Sequence, residues 1–164
     1  MLNVYELHLG RRERGEVPSD ADRAPDANRH VPLPSPLSLY LLDLPGYGYA
    51  RASHADRAAF RRLIAGTLDR TRLAGVLWLL DARRDPSQDD REMQDVFAAH
   101  ETRVLAAVTK SDKLPRGRRP ARERELREAL QLDEDQAIMT SARTGEGIGE
   151  LREAIELLVS EAME

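Results

Sequence analysis

Two short polar segments of the sequence have the composition of a site that reads a nucleotide base. Each follows an apolar run, and their residues are Thr109, Lys110, Ser111 and Asp112, then Thr140, Ser141 and Ala142. The Asp112 carboxylate can accept hydrogen bonds from the ring N–H and the exocyclic amine of guanine, a donor pair that adenine lacks. The Lys110 stem can lie over the ring, and the small residues around Ser141 let a backbone N–H reach the guanine O6. Leaving a buried base donor unpaired costs about 1–3 kcal/mol, so this pattern predicts selectivity for guanine.

A third polar segment follows an apolar run nearer the N-terminus. It consists of Asp43, Leu44, Pro45 and Gly46. The Asp43 carboxylate could hold Mg²⁺ through water, and the Gly46 amide could approach a terminal phosphate because glycine has no side chain in the way. Taken alone, this segment is more simply a strand followed by a Pro-Gly turn. Taken alone, Thr109 to Asp112 is likewise more simply a solvated turn.

Lysine is confined to one of these segments. Of the 25 basic residues, only Lys110 and Lys113 are lysines. An ammonium on a slim alkyl stem differs chemically from a planar guanidinium, so the retention of lysine here favours a functional requirement over chance clustering. The same count means that the 164 residues contain no G-x-x-x-x-G-K-[ST] loop, whose amides and lysine would cradle phosphates.

The bulk composition limits the class of protein. With 164 residues, of which 41% are hydrophobic, the chain suits one domain over 1–164. It has no cysteine, and its four histidines are scattered, so any metal must be held by oxygen atoms. No run of about 18 apolar residues occurs, which predicts no membrane span and a cytoplasmic location. The net charge of -4 argues against a generic DNA-binding protein.

The order of elements predicts an α/β fold. Alternating residues in Asn3–Leu9 predict an edge strand, whereas residues 10–36, with five of the nine prolines, predict a flexible loop. Further apolar strands are predicted at 38–42, 75–80, 104–108 and 138–140. Helices are predicted to begin after Ser53, at Ser87, near Pro120 and at Ile148. The alternation predicts a mostly parallel sheet with helices on both faces and right-handed crossovers.

The spacing of the three polar segments favours the functional interpretation over three unrelated turns. Ligands of open α/β sheets bind beyond the carboxyl ends of the strands, and each segment directly follows its own predicted strand. Lys110 follows Asp43 by 67 positions, and Ser141 follows Lys110 by 31 positions. This is the order that a GTP-binding site requires.

At these residues the chain resembles the EngB/YihA-type GTPases of the TrmE-Era-EngA-YihA-Septin-like class. The stretch from Asp43 to Ala50 (DLPGYGYA) is similar to their switch-two signature, and Thr109 to Lys113 (TKSDK) is similar to their base motif. Asp81 to Arg83 and the opening Leu2 to Leu7 are also similar to theirs. The resemblance covers nearly the whole chain apart from residues 10–36.

The resemblance implies a Ras-like P-loop GTPase fold and a function in bacterial large-subunit ribosome assembly, with a link to cell division and septation. It implies GTP or GDP and Mg²⁺ as ligands and the precursor of the large ribosomal subunit as partner. The GTP-binding residues that it implies are Asp43, Leu44, Pro45, Gly46, Thr109, Lys110, Ser111, Asp112, Thr140, Ser141 and Ala142. Asp43 is the implied water-mediated Mg²⁺ contact.

The resemblance also implies that something is missing. EngB-type proteins carry the first strand, the phosphate loop with direct Mg²⁺ ligands, the first helix and switch one before the strand that here begins at Asn3. We therefore expect weak or absent GTP binding by the chain as given, and no activity without the phosphate loop. Tyr47 follows Gly46, where many GTPases carry the glutamine that orients the attacking water, which predicts slow hydrolysis. The alternative is a nucleotide-free interaction module derived from a GTPase fold.

Three further features have two interpretations each. An arginine cluster could contact ribosomal RNA phosphates, or it could be a solvated face balanced by glutamates at 123, 125 and 128. The cluster comprises Arg116, Arg118, Arg119, Arg122, Arg124 and Arg127. Tyr47 and Tyr49 could stack on RNA or a protein partner, although packing is their more ordinary role. Trp78 is predicted to be a core residue.

Overall fold

The computed structural model describes residues 3–9, 37–44, 46, 54–70 and 72–163. Two compact units make up the chain, Met1–Gly46 and Tyr47–Glu164. The predicted flexible loop at 10–36, the Ser53 start of the first helix, Pro45, Tyr47 and Tyr49 lie outside the described residues.

The first unit contains an antiparallel strand pair. Strand β1 (Asn3–Leu9) pairs with β2 (Leu37–Asp43), with Asn3 opposite Asp43 and Leu9 opposite Leu37. The strand predicted at 38–42 is therefore one residue longer at each end, because the pairing with β1 extends to both of its ends. Within this strand pair Val4, Tyr5 and Tyr40 are each at least half exposed.

The second unit contains a three-stranded parallel sheet. Its strands are β3 (Val76–Asp81), β4 (Val104–Thr109) and β5 (Ala137–Met139), and β4 lies in the middle. Val104 to Val108 are all buried in β4, as expected for a parallel strand covered on both faces. The predicted last strand is shifted by one residue, because Thr140 already belongs to the following loop.

Four helices accompany the sheet: α1 (His54–Leu68), α2 (Gln88–Ala99), α3 (Arg119–Leu130) and α4 (Ile148–Glu161). A capping box starts α2, in which the Ser87 hydroxyl accepts from the Asp90 N–H and the Asp90 carboxylate accepts from the Ser87 N–H. Helix α3 packs against β5 and α2, and α4 packs against β4. The α/β fold with a parallel sheet and helices is confirmed. None of the helices in the described ranges is long and apolar enough to cross a membrane.

The core of the second unit lies on the helix-covered side of β3 and across β4. Trp78 is 4% exposed and meets Phe97 of α2 edge to face, with ring centroids 5.4 Å apart, which confirms it as a core residue. Leu126 and Leu130 of α3 are also fully buried, and each such side chain contributes about 1.5–3 kcal/mol. Leu79, between Trp78 and Leu80, is 66% exposed. The predicted coverage of both strand faces therefore holds for β4 but not at Leu79 of β3.

Candidate functional site

Main-chain hydrogen bonds join the loops that follow β4 and β5. The Thr140 N–H donates to the Val108 carbonyl over 2.8 Å, and the Ser111 N–H donates to the Thr140 carbonyl over 3.0 Å. The pairing of the two strands therefore continues past their ends. Because these bonds involve only backbone groups, they bring Thr109 to Asp112 beside Thr140 to Ala142 whatever the side chains do.

Lys110 begins the first of these loops in an unusual conformation. Its φ of 63° is left-handed, which costs a non-glycine residue roughly 1–2 kcal/mol. A short 3-10 turn, Ser111–Lys113, follows it directly. The Lys110 ammonium donates to the Asp81 carboxylate over 2.8 Å. The lysine stem is therefore anchored at both ends, by the turn and by the end of β3.

Asp81, the last residue of β3, is a carboxylate held between two cations. Arg83 donates to both of its oxygens, from Nε to Oδ1 over 2.9 Å and from Nη2 to Oδ2 over 2.7 Å. The hydrogen bonds from Arg83, and then the one from Lys110, hold the pKa of Asp81 well below its usual range against the opposing effect of burial. Asp81 is therefore a permanent anion that fixes Lys110.

Asp112 is held from both sides. The Ser141 hydroxyl donates to Oδ1 over 2.7 Å, and Arg143 Nε donates to Oδ2 over 2.7 Å. Its side chain is only 5% exposed. The Ser141 hydroxyl, and then Arg143, lower the pKa of Asp112 to about 2. The carboxylate is thus ionised at neutral pH and fixed in orientation. Both properties suit the role that the sequence predicts for it, that of a hydrogen-bond acceptor for guanine.

Glu146 joins the two loops through its side chain as well as its backbone. Its carboxylate accepts from the fully buried Ser111 hydroxyl over 2.8 Å and from Arg119 Nη1 over 2.6 Å. Its carbonyl accepts from the Ser141 N–H over 3.0 Å. The Ser111 hydroxyl, and then Arg119, lower the pKa of the Glu146 carboxyl. Glu146 therefore connects Ser111, in the loop after β4, with Ser141, in the loop after β5.

Two glycines shape the connection into α4. Gly145 and Gly147 have φ values of 78° and 69°, a region that glycine enters without steric cost. A Cβ added to Gly147 would stand 2.0 Å from the Met139 carbonyl oxygen, whereas one added to Gly145 would meet nothing within 4 Å. The backbone thus needs glycine at 147 for space as well as for conformation.

The structure brings together most of the predicted base-reading residues. Lys110, Asp112, Ser141 and Ala142 stand at the carboxyl edge of the sheet, while Thr109 uses its hydroxyl to donate to the Leu80 carbonyl over 2.9 Å. The remaining predicted residues belong to the first unit: Asp43 and Gly46 are exposed, Leu44 is half-buried, and Pro45 lies outside the described residues.

Three residues that shape the site were not predicted to do so. Asp81 could have been found, because it also ends a parallel strand at the same sheet edge. Arg143 and Glu146 gave no such signal, because their partners Asp112 and Ser111 lie 31 and 35 residues away in sequence.

The arginine cluster is partly neutralised by acidic residues. Arg119 pairs with Glu146, and Arg122 pairs with Asp85 and Glu125. Arg122 also donates to the Ala82 carbonyl over 2.9 Å. The contacts of Arg122 with Ala82 and Asp85 hold the loop after β3, and Arg119 holds Glu146 in the loop before α4. At these two arginines the balanced-charge interpretation therefore fits better than an RNA-facing surface.

Asp43 is the residue that the sequence predicts to contact a metal ion. Across those residues, no group of three or more histidine or acidic side chains could hold a metal ion. Asp43 is exposed, and its Oδ2 accepts from the Asn3 side-chain amide over 3.4 Å. A single exposed carboxylate fits the water-mediated Mg²⁺ contact that the sequence predicts for Asp43, since Mg²⁺ keeps several of its waters.

The strand order, the parallel sheet and the polar loops at its carboxyl edge define an α/β chain of the GTPase fold. A crystal structure described as that of a probable GTP-binding protein EngB matches it with a TM-score of 0.63 at 18% identity, covering 74% of this chain and 78% of that one. No family model matches the chain.

Sequence comparison points to one family. A "Probable GTP-binding protein EngB" of Gemmatimonas aurantiaca is 46% identical over 121 residues, 73% of this chain and 59% of that protein. Proteins of the same description from Syntrophomonas wolfei and Natranaerobius thermophilus are 38% and 39% identical, over 71% and 74% of this chain and 60% and 64% of their own length. These similarities support an assignment to the EngB type of GTP-binding proteins, and the chain spans about three fifths of the length of these relatives.

Proposed function

We propose that this chain recognises the base of GTP and GDP through the loops that follow β4 and β5. One observation carries the proposal: the nearly buried Asp112 carboxylate is held ionised at the carboxyl edge of the sheet, with its pKa lowered to about 2. A fixed anionic acceptor at the place where α/β sheets bind ligands suits a base with two adjacent donors.

The chemistry of recognition follows from the two oxygens of Asp112. The guanine N1–H and N2–H groups donate to them, and such hydrogen bonds to a charged group are worth about 1.5–3 kcal/mol each. Adenine offers no equivalent pair, so it leaves the carboxylate unsatisfied. Lys110, tied to Asp81, lays its alkyl stem along one face of the base. The exposed Ala142 supplies the N–H for the guanine O6.

The phosphate side of the nucleotide receives less from this chain. Its lysines are Lys110 and Lys113 alone, and Lys110 is already paired with Asp81. A water-mediated Mg²⁺ contact at Asp43 and a phosphate contact at Gly46 are proposed from the sequence resemblance alone. We therefore expect the chain by itself to bind guanosine and GDP with similar, weak affinity and not to hydrolyse GTP.

The finer function proposed is that of a GTPase switch in assembly of the large ribosomal subunit in the bacterial cytoplasm, with a connection to cell division. The similar proteins support the GTP-binding part of this assignment, since they are described as GTP-binding proteins. The ribosomal part follows from the resemblance of residues 43–50 and 109–113 to the EngB/YihA signatures. Arg116 and Arg124 are exposed, and they remain the candidates for contact with ribosomal RNA phosphates.

A titration of the isotope-labelled chain, followed by NMR, tests the proposal. Guanosine, GDP and adenosine are added separately, and we expect shifts at Lys110, Asp112 and Ala142 with the two guanine compounds only. Asp112→Asn should transfer the preference from guanosine to xanthosine, because the xanthine ring presents an acceptor where guanine presents its amine. Asp95→Asn, on an exposed face of α2, is the matched control.

Two outcomes would count against the proposal. Equal binding of guanosine and adenosine would mean that Asp112 does not read the base. Binding of neither nucleoside, together with sedimentation of the chain with large ribosomal subunits in the absence of nucleotide, would favour a nucleotide-free interaction module.

A further inference from the structure

Arg143 occupies the solvent side of the base-reading carboxylate. Its Nε donates to Asp112 Oδ2 over 2.7 Å, and its own side chain is 65% exposed. The other partner of Asp112 is different in kind, since Ser141 is 1% exposed and donates to Oδ1 from within the fold. Asp112 thus has one buried partner that must stay and one exposed partner that can leave.

A base and Arg143 compete for the same oxygen. Guanine offers two parallel donors, so both oxygens of Asp112 are needed at once. Each oxygen can accept two hydrogen bonds, but Ser141 donates to Oδ1 from within the fold, whereas the exposed Arg143 covers Oδ2 on the solvent side from which a base approaches. Lys113, whose Nζ lies 3.7 Å from Oδ2, is too distant to form a normal hydrogen bond there. The guanidinium is therefore the group that a base edge has to displace.

We propose that Arg143 is a displaceable counter-ion of Asp112, which satisfies the carboxylate in the empty site and lowers the affinity of that site for guanine. The inference rests on the proposed function of Asp112. Because the Arg143 side chain is 65% exposed, its release into water costs little free energy, so the guanine donors can replace it. Arg143 thereby adjusts both the affinity and the selectivity of the site for the base.

The sign of one effect separates this role from that of a residue that binds the base. Arg143→Ala should bind guanosine roughly 2- to 5-fold more tightly than the unmodified chain, because the guanine donors then have no ion pair to replace. Arg91→Ala, an exposed arginine on α2, is the control for net charge.

Titration of the Asp112 carboxyl by NMR provides a readout that needs no nucleoside. The pKa of Asp112 should rise towards the ordinary aspartate range in Arg143→Ala and stay unchanged in Arg91→Ala. An unchanged pKa would overturn the inference directly, because it would mean that the two side chains are not paired.

Weaker or equal guanosine binding by Arg143→Ala would also overturn the inference. Weaker binding would mean that Arg143 contacts the base favourably, and equal binding would mean that it plays no part in binding the base. If Asp112→Asn still changes the base preference in that case, the proposed function stands without the counter-ion role. If the unmodified chain binds no guanosine, the proposed function fails and the inference fails with it.

Discussion

The loops after β4 and β5 differ from the segment that ends β2 in how much of their geometry the chain itself provides. In the loops, Asp112 has two partners and a side-chain exposure of 5%. In the segment after β2, Asp43 is exposed, and a Cβ added to Gly46 would meet nothing within 4 Å. The part proposed to bind the base is therefore preorganised, which would lower the entropy cost of binding. In the segment proposed to contact phosphate and Mg²⁺, the chain itself fixes less of the geometry.

The largest expected effect of this difference is on stability, when each of two glycines is replaced by alanine. Gly147→Ala should destabilise the chain by about 3 kcal/mol, because the new Cβ would stand 2.0 Å from the Met139 carbonyl oxygen at a left-handed φ. Gly46→Ala, with open space around it, should change stability by less than about 0.5 kcal/mol. Urea unfolding followed by circular dichroism measures both, and equal losses would mean that the two regions are equally constrained.

The next effect concerns the two carboxylates assigned to nucleotide binding. Asp112→Ala should weaken guanosine binding by about 3 kcal/mol, roughly 150-fold, since two charge-assisted hydrogen bonds of at least about 1.5 kcal/mol each are lost. Asp43→Ala should leave guanosine binding unchanged and should alter only the response of GDP binding to Mg²⁺. NMR titrations of both variants test this, and a large loss of guanosine affinity in Asp43→Ala would contradict the division between the two regions.

A smaller effect is expected at Glu146, which acts on Asp112 through other residues. Glu146→Gln removes the charge that holds the Ser111 hydroxyl and the mostly buried Arg119, so Asp112 should lose part of its preorganisation. We expect guanosine to bind about 3- to 10-fold more weakly, corresponding to about 1 kcal/mol. Glu153→Gln, exposed on α4, is the matched control.

A merely structural role for Glu146 would give a different result. The melting temperature of Glu146→Gln would then fall while its guanosine affinity and its preference over xanthosine stayed the same. Thermal unfolding and the titration, made on the same sample, distinguish the two possibilities.

The smallest effect is on the pH dependence of stability. The pKa of Asp112 is lowered in the folded chain to about 2, so its ionised form stabilises the fold at a pH above the ordinary aspartate pKa of about 3.9. That contribution is lost as the pH falls from about 4 towards about 2. Asp112→Asn should therefore be less stable than the unmodified chain at pH 6, with the difference shrinking below pH 4. Thermal melts at several pH values measure it, and a difference independent of pH would refute the assignment.

The sequence alone indicates those parts of the fold that depend on local patterns. Strand β4 is recognised from its continuous apolar run, and α2 from the Ser87 and Asp90 pair that forms its capping box. Leu79 shows the limit of this reasoning. An apolar run predicts burial on both faces, but whether each face is covered depends on elements far away in the chain.

The residues of the candidate site likewise divide into those that the local sequence indicates and those that it does not. Thr109 to Asp112 and Thr140 to Ala142 are found from the sequence, because the ends of parallel strands meet at one sheet edge. Arg143 is not, because its contact with Asp112 spans 31 residues and depends on the angle at which one loop leaves the sheet. The Glu146 contact with Ser111 spans 35 residues, and nothing local distinguishes Glu146 from the other glutamates of the chain.

The backbone bonds that join Val108, Thr140 and Ser111 link the lifetime of the site to that of a short strand. Strand β5 has only three residues, and elements with few hydrogen bonds open locally at a lower free-energy cost than the centre of a sheet. Whenever β5 separates from β4, the Thr140 carbonyl releases the Ser111 N–H, and Asp112 loses its register with Ser141. The lifetime of a base bound there as proposed therefore has an upper limit other than its own contacts, set by the local opening of the shortest strand in the sheet.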